Sequence, residues 1–379
     1  TTRNVNRQYD YSLAVQGAKI GSTLRIRLPD RALVTDGAAL QVQDDNEQYT
    51  TLTVSTQKHI GMNFTTAELT MQLDDFADRV LKPRVSQLAA SIDADVANAY
   101  KGIFASVGTP GTTPATSLVL LQAQQKLNES AAGMNPRYAT VSPAANAGLV
   151  EGMKGLFNPT DTVSKQFKNG MMGTGVLGLD EINMSQSILQ HTTGTRDAAA
   201  ATTVGATITT QGSTTITLSQ ASVTTTLTAG DVFTIAGVNA VNPQTRQSTG
   251  SLQQFVVTAA ATAVAGTWTV SVLPAMYTSG NALATIDAFP VVSAVVTFLG
   301  TASTQYPQNL VYHKDAITFA TADLLLPQGV DMASRQVHNG ISLRIVRQYD
   351  INNDRMPCRI DVLYGYSVIR PAMACRLWG

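Results

Sequence analysis

Residues 74–105 read DDFADRVLKPRVSQLAASIDADVANAYKGIFA, and the fold turns on their spacing. Leu81, Val85, Leu88, Ile92, Val96, Tyr100 and Ile103 step by three or four, which puts them on one face of an α-helix rather than of a strand. From Leu81 to Ile103, at ~1.5 Å per residue, that helix is roughly 33 Å long, enough to cross a domain as its spine. Asp74, Asp75 and Asp78 fall in its first turns, where carboxylates favour the positive end of the dipole, and Lys101-Gly102 suits a C-terminal turn. Pro83 interrupts the pattern. It either kinks the helix or marks its true first turn after a short lead-in helix from Thr70, because a helix interior loses about 3 kcal/mol to proline.

Upstream of the spine the chain reads as extended polypeptide. Residues 22–28 alternate Leu24, Ile26 and Leu28 with Thr23, Arg25 and Arg27, and residues 49–58 set Leu52 and Val54 against Thr51, Thr53 and Ser55. Between these runs lies a polar tip with Asp36-Gly37 and Asp44-Asp45-Asn46-Glu47. Two strands and a long tip make an arm. An isolated two-stranded ribbon is marginal in water, so the arm needs a support. The pattern fits a neighbouring subunit and an edge of the arm's own domain equally.

Downstream, residues 106–116 form a Gly/Pro/Thr loop, and residues 117–129 return to helical spacing with Leu118, Leu121 and Leu127. Asn135-Pro136 breaks that helix, residues 138–141 read as a short buried strand, and residues 143–155 as another helix. Near Gly194 the composition shifts to Thr, Ala, Val and Gly, with β-prone runs at 214–218, 231–235, 254–258, 267–273 and 291–298. Short strands with Gly and Asn turns predict a compact all-β module, inserted between α/β segments. Residues 309–319 resume the earlier pattern. Residues 342–349 and 357–366 flank Asp350-Ile-Asn-Asn-Asp354 as a long hairpin, and the apolar segment 372–378 docks.

At 379 residues the chain has room for two or three domains and a real core. Lys plus Arg and Asp plus Glu are both 26, and only 14% of residues are charged, so the surface suits association with other copies. The same balance argues against nucleic-acid binding by bulk electrostatics. Cys358 and Cys375 form neither a disulfide framework nor a zinc motif and are expected as buried thiols in a reducing cytoplasm. No run of about 18 apolar residues and no leader pattern supports membrane insertion or export. The chain opens on Thr1 rather than methionine, as a processed or truncated start would.

Motifs that could carry chemistry each fail on context. Gly173-Thr-Gly175-Val-Leu-Gly178 matches the dinucleotide fingerprint literally, but Lys168 and Asn169 precede it instead of a buried strand, and Asp180-Glu181 follow too soon to serve a ribose. Asp350, Asn352 and Asp354 copy the first ligands of a calcium loop, yet Arg355 stands where that loop needs glycine and Asp361 where it needs glutamate. His59, His191, His313 and His338 have no partner at ligand or triad spacing. Asp44-Asp45 and Asp74-Asp75 have solvent or dipole explanations. The sequence therefore offers no catalytic, cofactor-binding or metal residues, and no enzyme is expected.

The order of parts resembles the major coat proteins of tailed double-stranded DNA bacteriophages, in the branch of the Hong Kong-type capsid fold that carries an inserted β-barrel. Asp231-Val-Phe-Thr-Ile-Ala-Gly-Val238 with Phe255-Val-Val-Thr258 resembles the insertion, Asn309-Leu-Val-Tyr-His-Lys-Asp-Ala-Ile317 the re-entry into the main fold, and residues 175–187 the glycine-turn-strand step before the insertion. The resemblance implies an α+β fold with an N-terminal segment and extended loop at 1–68, a spine helix and peripheral domain at 69–135, and a first axial part at 136–196. It further implies an inserted all-β domain at 197–303 and a return through axial and peripheral domains at 304–379.

The function so implied is structural: self-assembly into hexamers and pentamers of an icosahedral shell in the virion, built in the host bacterial cytoplasm. That shell would enclose the phage genome without sequence-specific binding. The implied partners are further copies of the chain, a scaffolding protein, a portal and a decoration protein, with no membrane. Such proteins usually open on a helical arm that meets the scaffolding protein, and this sequence shows no such pattern. Alternatives are the shell of a cellular nanocompartment, a nicotinamide-dependent enzyme built on the glycine-rich turn, and a surface adhesin with a Thr-rich β module.

Overall fold

The computed structural model describes residues 4–9, 23–35, 37–40, 42, 48–63, 81–153, 174–197, 199–221, 224–338 and 340–379. Asp74, Asp75, Asp78, Asp36, Asp44 and Asp45 lie outside the described residues. The chain divides into two compact units, each discontinuous in sequence: Thr1–Leu28, Tyr49–Val96 and Ile317–Ile369 in the first, and Pro29–Gln48, Ala97–Ala316 and Arg370–Gly379 in the second.

In the first unit the eleven-residue strand Cys358–Val368 is the centre of a six-stranded sheet. It pairs with Ile317–Ala322, Ile341–Arg347 and Thr56–Met62, all antiparallel, while Met332–His338 and Asn6–Tyr9 lie at the edges. Residues 342–349 and 357–366 thus form the hairpin read from their alternation. The spine is observed as an α-helix over Lys82–Ala97, with Pro83 in the first described turn. Leu88, Ile92 and Val96 are buried. Its polar edge is fastened to the sheet: Lys58 Nζ lies 2.7 Å from an Asp95 carboxylate oxygen and donates to Ser91 Oγ at 2.7 Å, and the Tyr364 hydroxyl donates to Asp95. Burial, with Asp95 adding to it, pushes the Tyr364 hydroxyl well above its ordinary pKa.

The helix stops earlier than its periodicity indicates. Asn98–Gly102 is a 3₁₀ turn, and Ile103 is extended. Tyr100 and Ile103 remain buried because a 3₁₀ turn also repeats every three residues, so their spacing fits either geometry. The alternating run at 49–58 likewise divides. Tyr49–Thr53 pairs with Thr23–Arg27 as a ribbon, whereas Thr56–Met62 joins the main sheet. At the ribbon's base Leu24 and Ile26 pack on Leu52, Val54, Ala320 and Ala322, so this part of the arm rests on its own unit.

The second unit holds another six-stranded sheet, in the order Ser106–Val107, Ala374–Leu377, Asn309–His313, Arg137–Val141, Leu179–Met184, Thr174–Val176. Helix Ser117–Glu129 buries Leu120, Ala123 and Leu127, and helix Pro143–Met153 buries Ala145 and Leu149, in one cluster with Val141, Ile182, Val311 and Leu377. This cluster unites residues on both sides of position 135. The same unit contains a closed barrel of six strands: Thr202–Val204, Ser213–Ser219, Thr267–Met276, Ser248–Val257, Val232–Val241 and Val295–Phe298. Alternate residues point inward, where Phe233 stacks on Phe255 with centroids 5.7 Å apart and Trp268 donates from Nε1 to Thr225 O at 3.1 Å. Closure leaves the six barrel strands, among the described residues, without an open sheet edge.

Two substitutions test the first unit. Ile92→Asp buries an unpaired charge at a cost of several kcal/mol, and soluble, assembly-competent variant protein would contradict the packing. Asp361, fully buried, is salt-bridged to Arg344 at 2.7 Å and to Arg359 at 2.5 Å. Burial opposes its charge, but hydrogen bonds from the two arginines outweigh that and hold its carboxyl below the ordinary range. Its stabilisation is therefore present above the unfolded-state pKa and lost as pH falls through the depressed folded-state value. Asp361→Asn should cost about 3 kcal/mol at neutral pH. The difference in Tm between the two proteins should narrow on acidification.

Candidate functional site: the root of the barrel

The chain enters the barrel through Gln190–Thr192 and leaves it through Gln305–Pro307, and these segments pair antiparallel. Thr193 N–H donates to Thr304 O at 3.1 Å and Ser303 N–H to Gly194 O at 3.1 Å, so both crossings form one ribbon. At its top, Gly230 turns with φ of +108° into Asp231 and the strand Val232–Val241. A Cβ on residue 230 would lie 3.0 Å from both the Tyr100 and His191 rings, so glycine serves conformation and space together.

Around this turn four segments meet through polar atoms. Asp231 Oδ1 lies 2.9 Å from His191 Nε2, and Asp231 Oδ2 accepts from the backbone N–H of Gly194 at 3.1 Å and of Thr228 at 2.9 Å. His191 Nδ1 meets the Tyr100 hydroxyl at 3.2 Å. Arg376 donates to Gly230 O at 2.7 Å and to Tyr100 O at 2.6 Å, with its guanidinium 5.2 Å from the centre of the Tyr100 ring. Burial lowers the Arg376 pKa to about 10, against the pull of Tyr100 and Asp231. Burial also raises the Tyr100 hydroxyl, with Arg376 opposing and Asp231 adding. At neutral pH the guanidinium is charged and the phenol neutral.

A carboxylate, an imidazole and a hydroxyl in a row have the parts of a catalytic relay, but the geometry makes them a joint. His191 and Asp231 are only 4% and 2% exposed, both imidazole nitrogens are engaged, and the carboxylate already accepts from two backbone donors. The arrangement fixes the barrel to the end of the spine segment and to the strand Ala374–Leu377.

The other motifs resolve as turns. Thr174–Val176 and Leu179–Met184 form a hairpin whose two-residue turn, Leu177-Gly178, has positive φ at both positions. The fingerprint match is a β-turn of that kind, with Gly173 outside the described residues. Asp350 pairs with Arg355, and its carboxylate accepts from Asn352 N–H and Asn353 Nδ2, while Asp361 sits in the neighbouring strand with its arginines. His313 accepts from Asp315 N–H at 3.2 Å, and its Nε2 lies 3.3 Å from Asn135 O. The partners of His191 stand 91 and 40 residues away in sequence, where no local spacing reveals them. Cys358 and Cys375 are buried free thiols. Among the described residues no group of three or more His, Cys, Asp or Glu is placed to hold a metal, and no helix is long and apolar enough to cross a membrane.

The second unit thus carries a barrel inserted on a paired stalk into an α/β layer. The family model described as P22 coat protein, gene protein 5, matches residues 16–379, and the chain belongs to that family. It is thus a phage major coat protein with the α+β capsid fold, a structural and non-enzymatic component that self-assembles into the virion capsid. No curated protein matches the chain. Solved structures similar to it include Mycobacterium phage Che8, with a TM-score of 0.48 at 10% identity over 97% of this chain and 89% of that one. Another is the capsid of the cyanophage P-SCSP1u, with a TM-score of 0.47 at 11% identity over 99% and 86%. The CUS-3 coat protein I-domain is 29% identical over 28% of this chain and all of its own, with a TM-score of 0.21.

Gly230→Ala tests the joint. It places a methyl group against two rings at a left-handed backbone position and should destabilise by about 1–3 kcal/mol. Asp231→Asn should cost about 1.5–3 kcal/mol through loss of charge-assisted bonds. Thermal unfolding of the purified variants reads both, and unchanged midpoints would contradict the joint.

Proposed function

We propose that copies of this chain form hexamers and pentamers that close into an icosahedral shell around packaged double-stranded DNA. The observation that carries this reading is the arm. Its base is anchored through Leu24, Ile26 and Leu52, yet farther along Val34, Leu40 and Val42 are 84%, 89% and 84% exposed. Large apolar side chains held out to water are unfavourable in a lone subunit and are relieved when a neighbour covers them. Zero formal net charge lets many copies approach without mutual repulsion. Each subunit contact can then be modest, because a closed shell engages every subunit several times over.

In this reading the sheet of the first unit and the spine helix serve the peripheral domain, the α/β part of the second unit the axial domain, and the barrel stands on the outer shell. Assembly takes place in the host cytoplasm with a scaffolding protein and a portal, and a decoration protein binds the finished surface. DNA is enclosed without sequence-specific contacts.

Deleting residues 32–47 removes Val34, Leu40 and Val42 but leaves Leu52 and Val54 in place. The variant should remain a folded, soluble subunit that fails to form stable shells in velocity sedimentation. Normal shells from the deletion would overturn the role of the arm.

A further inference from the structure

The barrel touches the α/β layer of its unit at a second place beside the root, where Ser106 stands in register opposite Arg376. In the strand Ser106–Val107, backbone pairing to Ala374–Leu377 uses Ala105 O and Val107 O, which accept from Arg376 and Trp378 N–H. Ser106 N–H and C=O therefore point to the open edge of the sheet, as alternation along a strand requires. There the side chain of Gln254, on barrel strand Ser248–Val257, meets both: Ser106 N–H donates to Oε1 at 2.7 Å, and Nε2 donates to Ser106 O at 3.0 Å. One carboxamide takes the place of a further strand. Nearby, Lys126 Nζ donates to Ser251 Oγ at 3.2 Å and Asn242 Nδ2 to Glu129 O at 3.1 Å, so the same flank also meets the C-terminal end of helix Ser117–Glu129.

Two features separate this flank from the root. Its contacts are half-buried, although Ser106 itself is only 3% exposed, whereas the bonds of His191 to Asp231 and of Arg376 to Gly230 O are buried. The apolar cores on the two sides are also distinct: the cluster around Phe233, Phe255 and Trp268 shares no residue with that around Leu120, Val141 and Val311. Water can replace the flank's hydrogen bonds at about 1 kcal/mol each, while opening the root exposes a buried charge network.

We infer that Gln254 is a releasable latch and the Asp231–Arg376 root its pivot, so that the barrel can swing off the sheet edge while both cores stay folded. Release frees the backbone edge at Ser106 together with the polar flank at Asn242 and Ser251. This goes beyond shell formation and holds for the single subunit.

The test uses the full chain and compares it with Gln254→Ala and Gln254→Glu, the latter able to accept from Ser106 N–H but not to donate to Ser106 O. Hydrogen exchange resolved to single amides should show Ser106 exchanging about fivefold or more faster in Gln254→Ala, with Gln254→Glu between it and the parent. Amides in the strands Val232–Val241 and Thr267–Met276 should be unchanged. Spin labels at the exposed residues Gln122 and Ala259 should give a broader distance distribution in Gln254→Ala. Unchanged exchange at Ser106 with an unchanged distribution would overturn the latch. So would a uniform acceleration across barrel and core, or a Gln254→Ala protein too unstable to purify, because either makes Gln254 a plain stability residue.

Discussion

The second unit is organised by one buried guanidinium. Arg376 is 1% exposed, and a charge so placed needs compensating hydrogen bonds, which its two terminal nitrogens make while Nε has no partner among the described residues. Its bonds reach Gly230 O and Tyr100 O, and its face covers the Tyr100 ring, so residues 146 and 276 positions apart must be in place together. The strand that carries it, Ala374–Leu377, also pairs with Asn309–His313 and Ser106–Val107. Closing the sheet, seating the barrel and ending the spine segment are therefore linked steps.

That linkage shapes the order in which the structure can form. The first unit draws its central strand from Cys358–Val368, and the second draws a sheet strand from Ala374–Leu377. Both sheets thus await the last tenth of the chain, and pairings of such long sequence range form slowly. The barrel is the exception. Its strands all lie within residues 202–298, so it closes without the end of the chain, and its core is its own. A module with these properties can be carried on a paired stalk without disturbing the layer beneath it.

Much of this was legible in the residues. Spacing showed the buried face of the spine, because Leu88, Ile92, Val96, Tyr100 and Ile103 all turn inward. It could not show where α-helix passes into 3₁₀ turn, because both geometries satisfy a step of three. Thr- and Val-rich runs marked strands of the barrel, although the observed strands Val232–Val241 and Ser248–Val257 run well past the β-prone cores at 231–235 and 254–258. The root was not legible. Tyr100, His191, Asp231 and Arg376 are each unremarkable locally, and their meeting depends on tertiary structure. Gln254 was equally silent, since a glutamine on a strand gives no sign that it will complete another sheet.

The physical account joins these parts: an anchored arm with apolar side chains held to water, a neutral subunit, two sheets locked by late strands, and a barrel fixed by a polar joint. Its central claim is that such subunits close into a shell of hexamers and pentamers. Electron microscopy of the purified chain, co-expressed with a scaffolding protein, tests that claim most directly. The account predicts closed, hollow particles of uniform size with hexameric and pentameric clusters on their surface; only monomers, small oligomers or open sheets under the same conditions would contradict it.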